Sequence, residues 1–432
     1  MPSPSPSPAP AVEPRLRHAR AAVSALFFLN AVLYANLVPR LPAIKDQLDL
    51  GNAALGSAIA AMPVGALLAG LLAPVLIQRL GSAKVAAFGL IALAVAVAVV
   101  PLAGTWIVLV AAMLVVGALD AVVDVAQNAH GLRVQRAYGR SIFNSLHGLW
   151  SIGAVVGGLL GSAAAGLSVP LSVHLAASAA VFGVVALVAY RLLLAGPEDA
   201  ERAGPGDGEP APAAGRRLLG HATGRTVLLL GVLGVLASCE AFVQDAGSTW
   251  GALYMRGEVG ASAAVGGLAF VALQGAMTAG RLVGDRVVDR FGQRRVVRVG
   301  GAVTAAGMSL ALAVPSVGTA LLGFALAGLG VATLFPAVMH AADELPGLPH
   351  GVGLTVVSWL VRVGFLLSPA VIGVVADAIS LRVALFSVVL AGLVVLLGGR
   401  VLVAAPAQDR EPSAADVTAP GGPAAAPTTP RP

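Results

Sequence analysis

"GALDAVVDVAQNAH", residues 117–130, interrupts an apolar run long enough to cross a lipid bilayer. It sets Asp120 and Asp124 one helical turn apart and Asn128 one turn further on, so the three share a helix face. A charged side chain at the bilayer centre costs about 2.5–3.5 kcal/mol even on lenient insertion scales, so such groups face protein or a water-filled cavity. The stretch predicts a membrane helix with lipid on one side and a wet interior on the other. Two carboxylates this close in a low dielectric resist joint ionisation, which suits them to exchange a proton or to hold a polar solute. The competing reading is a structural hydrogen bond to a neighbouring helix, with His147 as partner.

The whole chain supports a membrane setting. Of its 432 residues, 57% are hydrophobic and only 11% charged, with a mean hydropathy of +0.88. Soluble domains are about 45–50% apolar and roughly 25% charged. The single cysteine, Cys239, excludes an internal disulfide, and no Cys/His cluster has metal-ligand spacing, so neither metal nor cofactor is expected. A net charge of +6 would suggest nucleic acid in a soluble protein, but here the basic residues follow the membrane, and no nucleic-acid partner is expected.

Apolar runs between charged punctuation predict an all-α integral membrane protein with twelve spans, near 20–38, 52–76, 84–103, 105–131, 142–166 and 171–194, then 227–253, 261–284, 296–315, 318–341, 351–374 and 380–404. A Pro/Gly-rich charged segment, 195–225, reads as a linker between bundles at 20–194 and 226–404. The Pro-rich ends, 1–19 and 405–432, read as disordered tails, the first without a cleavage site of the signal-peptide kind. Of the 27 Lys and Arg residues, Arg40, Lys45, Arg256 and Arg382 fall on one side and Arg362 inside a span; the rest lie with the termini and linker. The positive-inside rule then places both termini in the cytoplasm of a multi-pass cell-membrane protein.

The two halves also resemble each other. "GALLAGLLAPVLIQRLG" (65–81) aligns with "GAMTAGRLVGDRVVDRFG" (275–292) at an offset of 210 that becomes 211. The offset of 211 also pairs Gly117 with Gly328 and Gly153 with Gly364, while 210 pairs Asn30 with Glu240 and Tyr34 with Gln244. Six-helix halves repeated in parallel point to a transporter with its site between them near mid-membrane.

"GDRVVDRFGQRR" (284–295) resembles the loop signature of the major facilitator superfamily, with Asp289, Arg290, Gly292, Arg294 and Arg295 at its key positions. Asp285 stands where the signature has its leading glycine, and the first-half copy, "PVLIQRLGSAK", has Gln78 where the acid belongs. "DVAQN" (124–128) and "LHGLWSIGAVVGG" (146–158) are similar to the MosC/YbjJ-type branch, related to sugar–proton symporters. The resemblance, over residues 20–404, implies two pseudo-symmetric six-helix bundles around a cavity that opens alternately to each side. In the signature loop, Asp289 is expected to meet helix N-termini and arginines, latching helix ends in one state.

The remaining polar residues in spans are candidate cavity groups. His147 is expected near Asp124 or Asn128; Trp150 offers a flat face for a ring-shaped solute, or plain packing. "SCEAFVQD" places Glu240 and Gln244 on one face with Asp245 beside them, and Asn30 and Tyr34 are their repeat-related partners. Arg362 needs a counter-charge, for which Glu240 or an anionic substrate is the candidate. His340, with Asp343 and Glu344, reads as a gate or surface group; the glycines of "GAVVGGLLG" (153–161) read as a helix-packing face, and Pro369 as a hinge.

These features predict a secondary transporter and not an enzyme: a small solute and a proton are the expected partners, with the lipid bilayer around a monomer. Efflux of lipophilic drugs is the alternative. An intramembrane hydrolase of Asp120, Asp124 and His147 lacks any GxSxG or HExxH motif, ATP-driven transport lacks a phosphate-binding loop, and a sensor or scaffold lacks a partner domain.

Overall fold

The computed structural model describes residues 13–139, 141–196, 224–345, 348 and 352–402. Twelve helices are long and apolar enough to cross a membrane. In the first half they are α1 (Pro14–Gln47), α2 (Asn52–Gly70), α3 (Ser82–Leu102), α4 (Trp106–Tyr138), α5 (Ser145–Gly166) and α6 (Leu171–Leu192). In the second they are α7 (Gly224–Gly257), α8 (Ala263–Phe291), α9 (Gln293–Ala313), α10 (Val317–Asp343), α11 (Val352–Ala378) and α12 (Leu381–Val401). Each expected span has its helix, and no strand occurs among the described residues. The first helix begins at Pro14, ahead of the expected 20; a proline in the first turn sacrifices no helical hydrogen bond. Most of the expected linker (195–225) and of the two expected tails lies outside the described residues.

Each half builds its own apolar core, around Leu26, Phe27, Leu90 and Leu109 in the first and Met277, Phe324, Val338 and Leu385 in the second. Large apolar side chains such as Leu68, Val95, Val184, Leu228, Val299 and Leu390 are exposed on the outside, as a lipid-facing surface requires.

The repeat read from the sequence is a repeat of contacts. A Cβ on Gly117 would stand 2.0 Å from the carbonyl oxygen of Met62, and one on Gly328 would stand 2.1 Å from that of Leu273. Both members of the second pair lie 211 positions after those of the first. The same crossing, α2 on α4 and α8 on α10, is thus made with the same absence of a side chain. The glycine stripe of α5 is used as expected: Gly153, Gly157 and Gly161 abut the carbonyls of Phe28, Val32 and Asn36 on α1.

Between the halves, α2 packs on α11 and α5 on α8. These contacts gather on the side of the membrane away from the chain termini, called here the far side; the other is the terminal side. On the far side Gly56 lies against the backbone of Pro369, where a Cβ would stand 2.1 Å from its carbonyl oxygen. Pro369 stands inside α11, and a second proline, Pro63, stands inside α2. In α7 the stretch Ala246–Trp250 widens into a π-helix, a form often found at functional sites.

Gly117→Ala and Gly328→Ala should each lower the melting temperature of the detergent-purified protein, since overpacking against fixed backbone costs about 1–3 kcal/mol. Gly183→Ala and Gly231→Ala, where a Cβ meets nothing within 4 Å, should leave it unchanged or raise it.

Candidate functional site

Midway along the helices, between the bundles, lies a cavity of about 330 Å³. Its polar groups are Asn30 and Tyr34 from α1, Asp120 from α4, Gln244, Asp245 and Ser248 from α7, Gln274 from α8 and Arg362 from α11; Trp150, Phe270 and Phe365 supply flat apolar walls. The π-helical turn of α7 begins directly after Asp245 and presents Ser248 to the same space. Six of the ten cavity residues expected from sequence meet here: Asn30, Tyr34, Asp120, Trp150, Gln244 and Arg362.

Asn30 organises the first-half wall. It is 4% exposed. Its Nδ2 donates to Asp120 Oδ1 at 2.9 Å, while its Oδ1 accepts from Trp150 Nε1 at 3.0 Å and Gln127 Nε2 at 3.5 Å. An amide is suited to this place because it donates to the acid through one end and accepts through the other. Trp150 therefore has its N–H anchored and its ring held at the cavity wall. Gln127, fully buried, also reaches Asp124 Oδ1 at 3.4 Å and joins the two acids through Asn30. Sequence reasoning passed over it, although it stands inside "DVAQN", three residues after Asp124.

The second half sets two buried acids here: Asp245 lines the cavity, while Glu240, contrary to expectation, is not among its lining residues. Asp245 is 5% exposed and accepts hydrogen bonds from Thr249 and, at 2.7 Å, from Ser368 Oγ on α11. Glu240 is 2% exposed and accepts at Oε1 from Gln244 Nε2 and from an Arg281 guanidinium nitrogen, both at 3.0 Å. Its second oxygen, Oε2, is buried without a partner.

The expected pairing of Glu240 with Arg362 is therefore corrected: Arg281 holds the acid, and Arg362 lines the cavity. Arg281 lies inside α8, which runs to Phe291, and inside the expected span 261–284 as well, where the sequence reading passed over it as a counter-charge. Arg362 is consequently not the one basic residue deep in a span.

Toward the terminal side the space widens into a vestibule of about 910 Å³, and Trp150 lines both volumes. Asp124, His147, Arg281, Asp285, Asp289 and His340 are on its wall. Asp120 and Asp124 thus share a helix face at two depths, one at the centre and one in the vestibule. One further expectation is corrected. Asn128 lines neither volume and donates to Asp124 Oδ1 at 3.0 Å and to its carbonyl, so its amide serves the acid rather than the cavity. His147 lies on the vestibule wall with Asp124 and interacts with it electrostatically, while its Nδ1 meets the carbonyl of Phe143 one turn back and its ring packs on Phe27 and Phe143.

In this state, with the vestibule open, the signature loop is not drawn together into a latch. Asp285 and Asp289 are exposed, with no ion pair to either among the described residues. Arg290 lies over the ring of Phe291, Arg295 is exposed, and the buried Nε of Arg294 lacks a partner. Gly292 keeps its signature role, with φ of 80° at the turn into α9. His340 pairs at 3.6 Å with Glu344 at the vestibule rim, as its surface reading anticipated.

The far side is closed by contacts across the bundles. Both carboxylate oxygens of Asp377, at the end of α11, accept backbone N–H groups at the start of α2: Asn52 at 2.8 Å and Ala53 at 2.7 Å. A carboxylate of one bundle thereby caps a helix of the other, a charge-assisted contact favoured by the helix dipole. Arg256 and Asp46 add an ion pair at 3.4 Å, exposed and of little weight.

Two helical bundles with a polar chamber between them, sealed on one side and continuous with a vestibule on the other, define a membrane transporter. The model of the Major Facilitator Superfamily matches residues 23–254 and 233–430, and the chain belongs to that family of transporters, not to an enzyme class. It is 30% identical over 374 residues to an uncharacterized MFS-type transporter of Yersinia pestis, covering 87% of this chain and 93% of that one. It is 29% identical to the membrane protein MosC of Rhizobium meliloti, over 87% and 88% of the two chains. Among solved structures, a mutant of the nucleoside transporter NupG superposes with a TM-score of 0.73 at 13% identity, over 88% of this chain and 99% of the other. The D-xylose-proton symporter superposes with a TM-score of 0.64 at 17% identity, over 89% and 96%. At such identities these two likenesses speak for the fold alone.

Removing one partner of a buried ion pair leaves an uncompensated charge. Arg281→Gln should therefore lower the melting temperature more than the double variant Glu240→Gln/Arg281→Gln, and Arg362→Gln should lower it less than either; differential scanning fluorimetry in detergent reads the order. Asp377→Ala should loosen the far-side seal. In a Cys239→Ala background with Ala66→Cys in the cavity wall, it should speed labelling by an impermeant thiol reagent applied from the far side.

Proposed function

We propose that this protein is a secondary transporter that carries a small polar solute through the central cavity by alternating access, coupled to protons. The observation that supports this most directly is the cavity itself. It is about 330 Å³, sized for a small molecule, and it offers acids, amides and one arginine beside flat aromatic walls. Hydroxyl-rich or heterocyclic solutes are matched by such a mixture, since the aromatic faces take the ring and the amides take its polar rim.

Protons are assigned to the acids nearest the path. Asp120 and Asp124 lie one turn apart at different depths, bridged through Gln127, so a proton entering from the vestibule meets Asp124 first. Glu240, with one oxygen on Arg281 and the other unpartnered, is the second carrier. In the cycle the Asp377 cap and the contact of Gly56 with Pro369 break as the far side opens. The signature loop, with Asp285, Asp289, Arg290, Arg294 and Arg295, closes the terminal side. The positive-inside distribution supports a cytoplasmic terminal side, and the reading is of a monomer in the cell membrane. Efflux of lipophilic compounds is the second reading, favoured by Trp150, Phe270 and Phe365 on the cavity wall.

In proteoliposomes with an imposed pH gradient, a panel of labelled sugars, polyols, nucleosides and lipophilic cations tests the reading. A solute should accumulate with the wild type and lose its accumulation when a protonophore collapses the gradient. Asp124→Asn and Glu240→Gln should each abolish gradient-driven accumulation while the protein remains folded in the membrane. Solute–solute exchange without a gradient should survive at least partly in Asp124→Asn. Wild-type, pH-dependent accumulation by both variants would overturn the assignment of these acids.

A further inference from the structure

Away from the central path, the start of α3 and the end of α6 enclose a separate cavity of about 400 Å³ on the terminal side. Three cationic side chains line it, Lys84, Arg133 and Arg191, with Tyr190 beside them and no acidic side chain among the described lining residues. Arg133 is 1% exposed and donates to the carbonyls of Leu194, Ala195 and Gly196 at 3.4, 2.9 and 3.3 Å. It holds the extended segment just beyond α6 and fixes a positive charge in the cavity wall. Lys84 and Arg191 are exposed and make no hydrogen bond or ion pair among the described residues. The wall also contains Gly81 and Ala83, at the start of the 18-residue helical segment Ser82–Val99, which has no side-chain cap. The amides of a first helical turn lack acceptors within the helix, and the dipole there is positive.

The surroundings separate this cavity from an ordinary basic surface. Phe88, Leu187 and Leu192 are all exposed on the same two helices, Leu80 is exposed just ahead of α3, and the Phe88 ring packs on Tyr190 at 5.0 Å. The positive chamber thus opens onto an apolar flank at the height where the helices leave the hydrocarbon. A ligand matching both parts needs an anionic head and a long apolar body. Arginine and lysine suit a phosphate, the guanidinium by paired hydrogen bonds and the ammonium as a point charge. With no acid among the described lining residues to meet an ammonium group, that wall disfavours a zwitterionic head.

We propose that this cavity binds the headgroup phosphate of an anionic phospholipid, whose acyl chains run along the exposed flank of α3 and α6. The site lies outside the solute path and does not depend on the transport reading.

Native mass spectrometry of the purified full-length protein tests it, with phosphatidylglycerol and phosphatidylcholine offered at equal concentration. The wild type should retain phosphatidylglycerol several-fold more than phosphatidylcholine. Lys84→Gln/Arg191→Gln should lose that preference, and each single variant should lose part of it. Arg15→Gln/Arg17→Gln, which removes the same charge from exposed positions at the start of α1, should keep it. Because Lys84 and Arg191 are exposed and make no ion pair among the described residues, the variants should fold, which their melting temperature without lipid verifies. Equal retention of the two lipids by the wild type, or an undiminished preference in Lys84→Gln/Arg191→Gln, would overturn the proposal. So would an equal loss in Arg15→Gln/Arg17→Gln, which would reduce the effect to bulk charge. Displacement of the lipid by millimolar inorganic phosphate would do the same, since the apolar body would then be irrelevant.

Discussion

A carboxylate inside a bilayer must be given either water or a hydrogen-bond donor, and the interior of this protein is arranged around that requirement. Asp120 takes a donor from Asn30, Asp245 takes two hydroxyls, and Glu240 takes an amide and a guanidinium. These donors come from helices other than the acid's own in each case but the Gln244 and Thr249 contacts, so satisfying the acids also ties helices together. Asn30 is the clearest instance, joining α1 to α4 and α5 through three hydrogen bonds. An amide there stabilises both the bundle and the cavity wall.

The second constraint is backbone proximity. Where α2 crosses α4, α8 crosses α10, α5 lies on α1 and α2 meets α11, glycine lets one helix approach another closely enough to touch its carbonyls. The first three contacts lie within a bundle and hold it as a unit. The last lies between bundles, next to Pro369 and close to the Asp377 cap. Rigid units joined by a few localised contacts can rock against each other, which is the mechanical precondition for alternating access. The far-side contacts hold the present state with a cap and close packing, while on the terminal side Asp285 and Asp289 have no ion pair among the described residues.

Several parts of this arrangement were legible in the chain. The twelve spans follow from hydropathy because a bilayer imposes one length on every helix. The repeat at 210–211 survives in three dimensions because Gly117 and Gly328 solve the same crossing. Asn30, Tyr34, Asp120, Trp150, Gln244 and Arg362 were identifiable as cavity residues, since polar groups in apolar helices have few other places to go. Gln127 was overlooked because an amide costs less than a charge and draws less notice, and Arg281 because the charged stretch that begins at Asp285, four residues on, made it resemble loop.

What the sequence by itself determined is therefore the list of helices, their pairing into two halves and the set of polar groups that had to turn inward. Hydrophobicity is additive along a chain, so these are properties of composition and spacing. Which acid meets which base was decided only by the tertiary structure. Partner choice depends on the depth and rotation of each helix to within about a side chain's reach, and neighbours in space, such as Glu240 and Arg281, are 41 residues apart in the chain. The same holds for the His147 ring, packed on Phe27 and Phe143, and for the Asp377 cap, which no spacing within either half foreshadows.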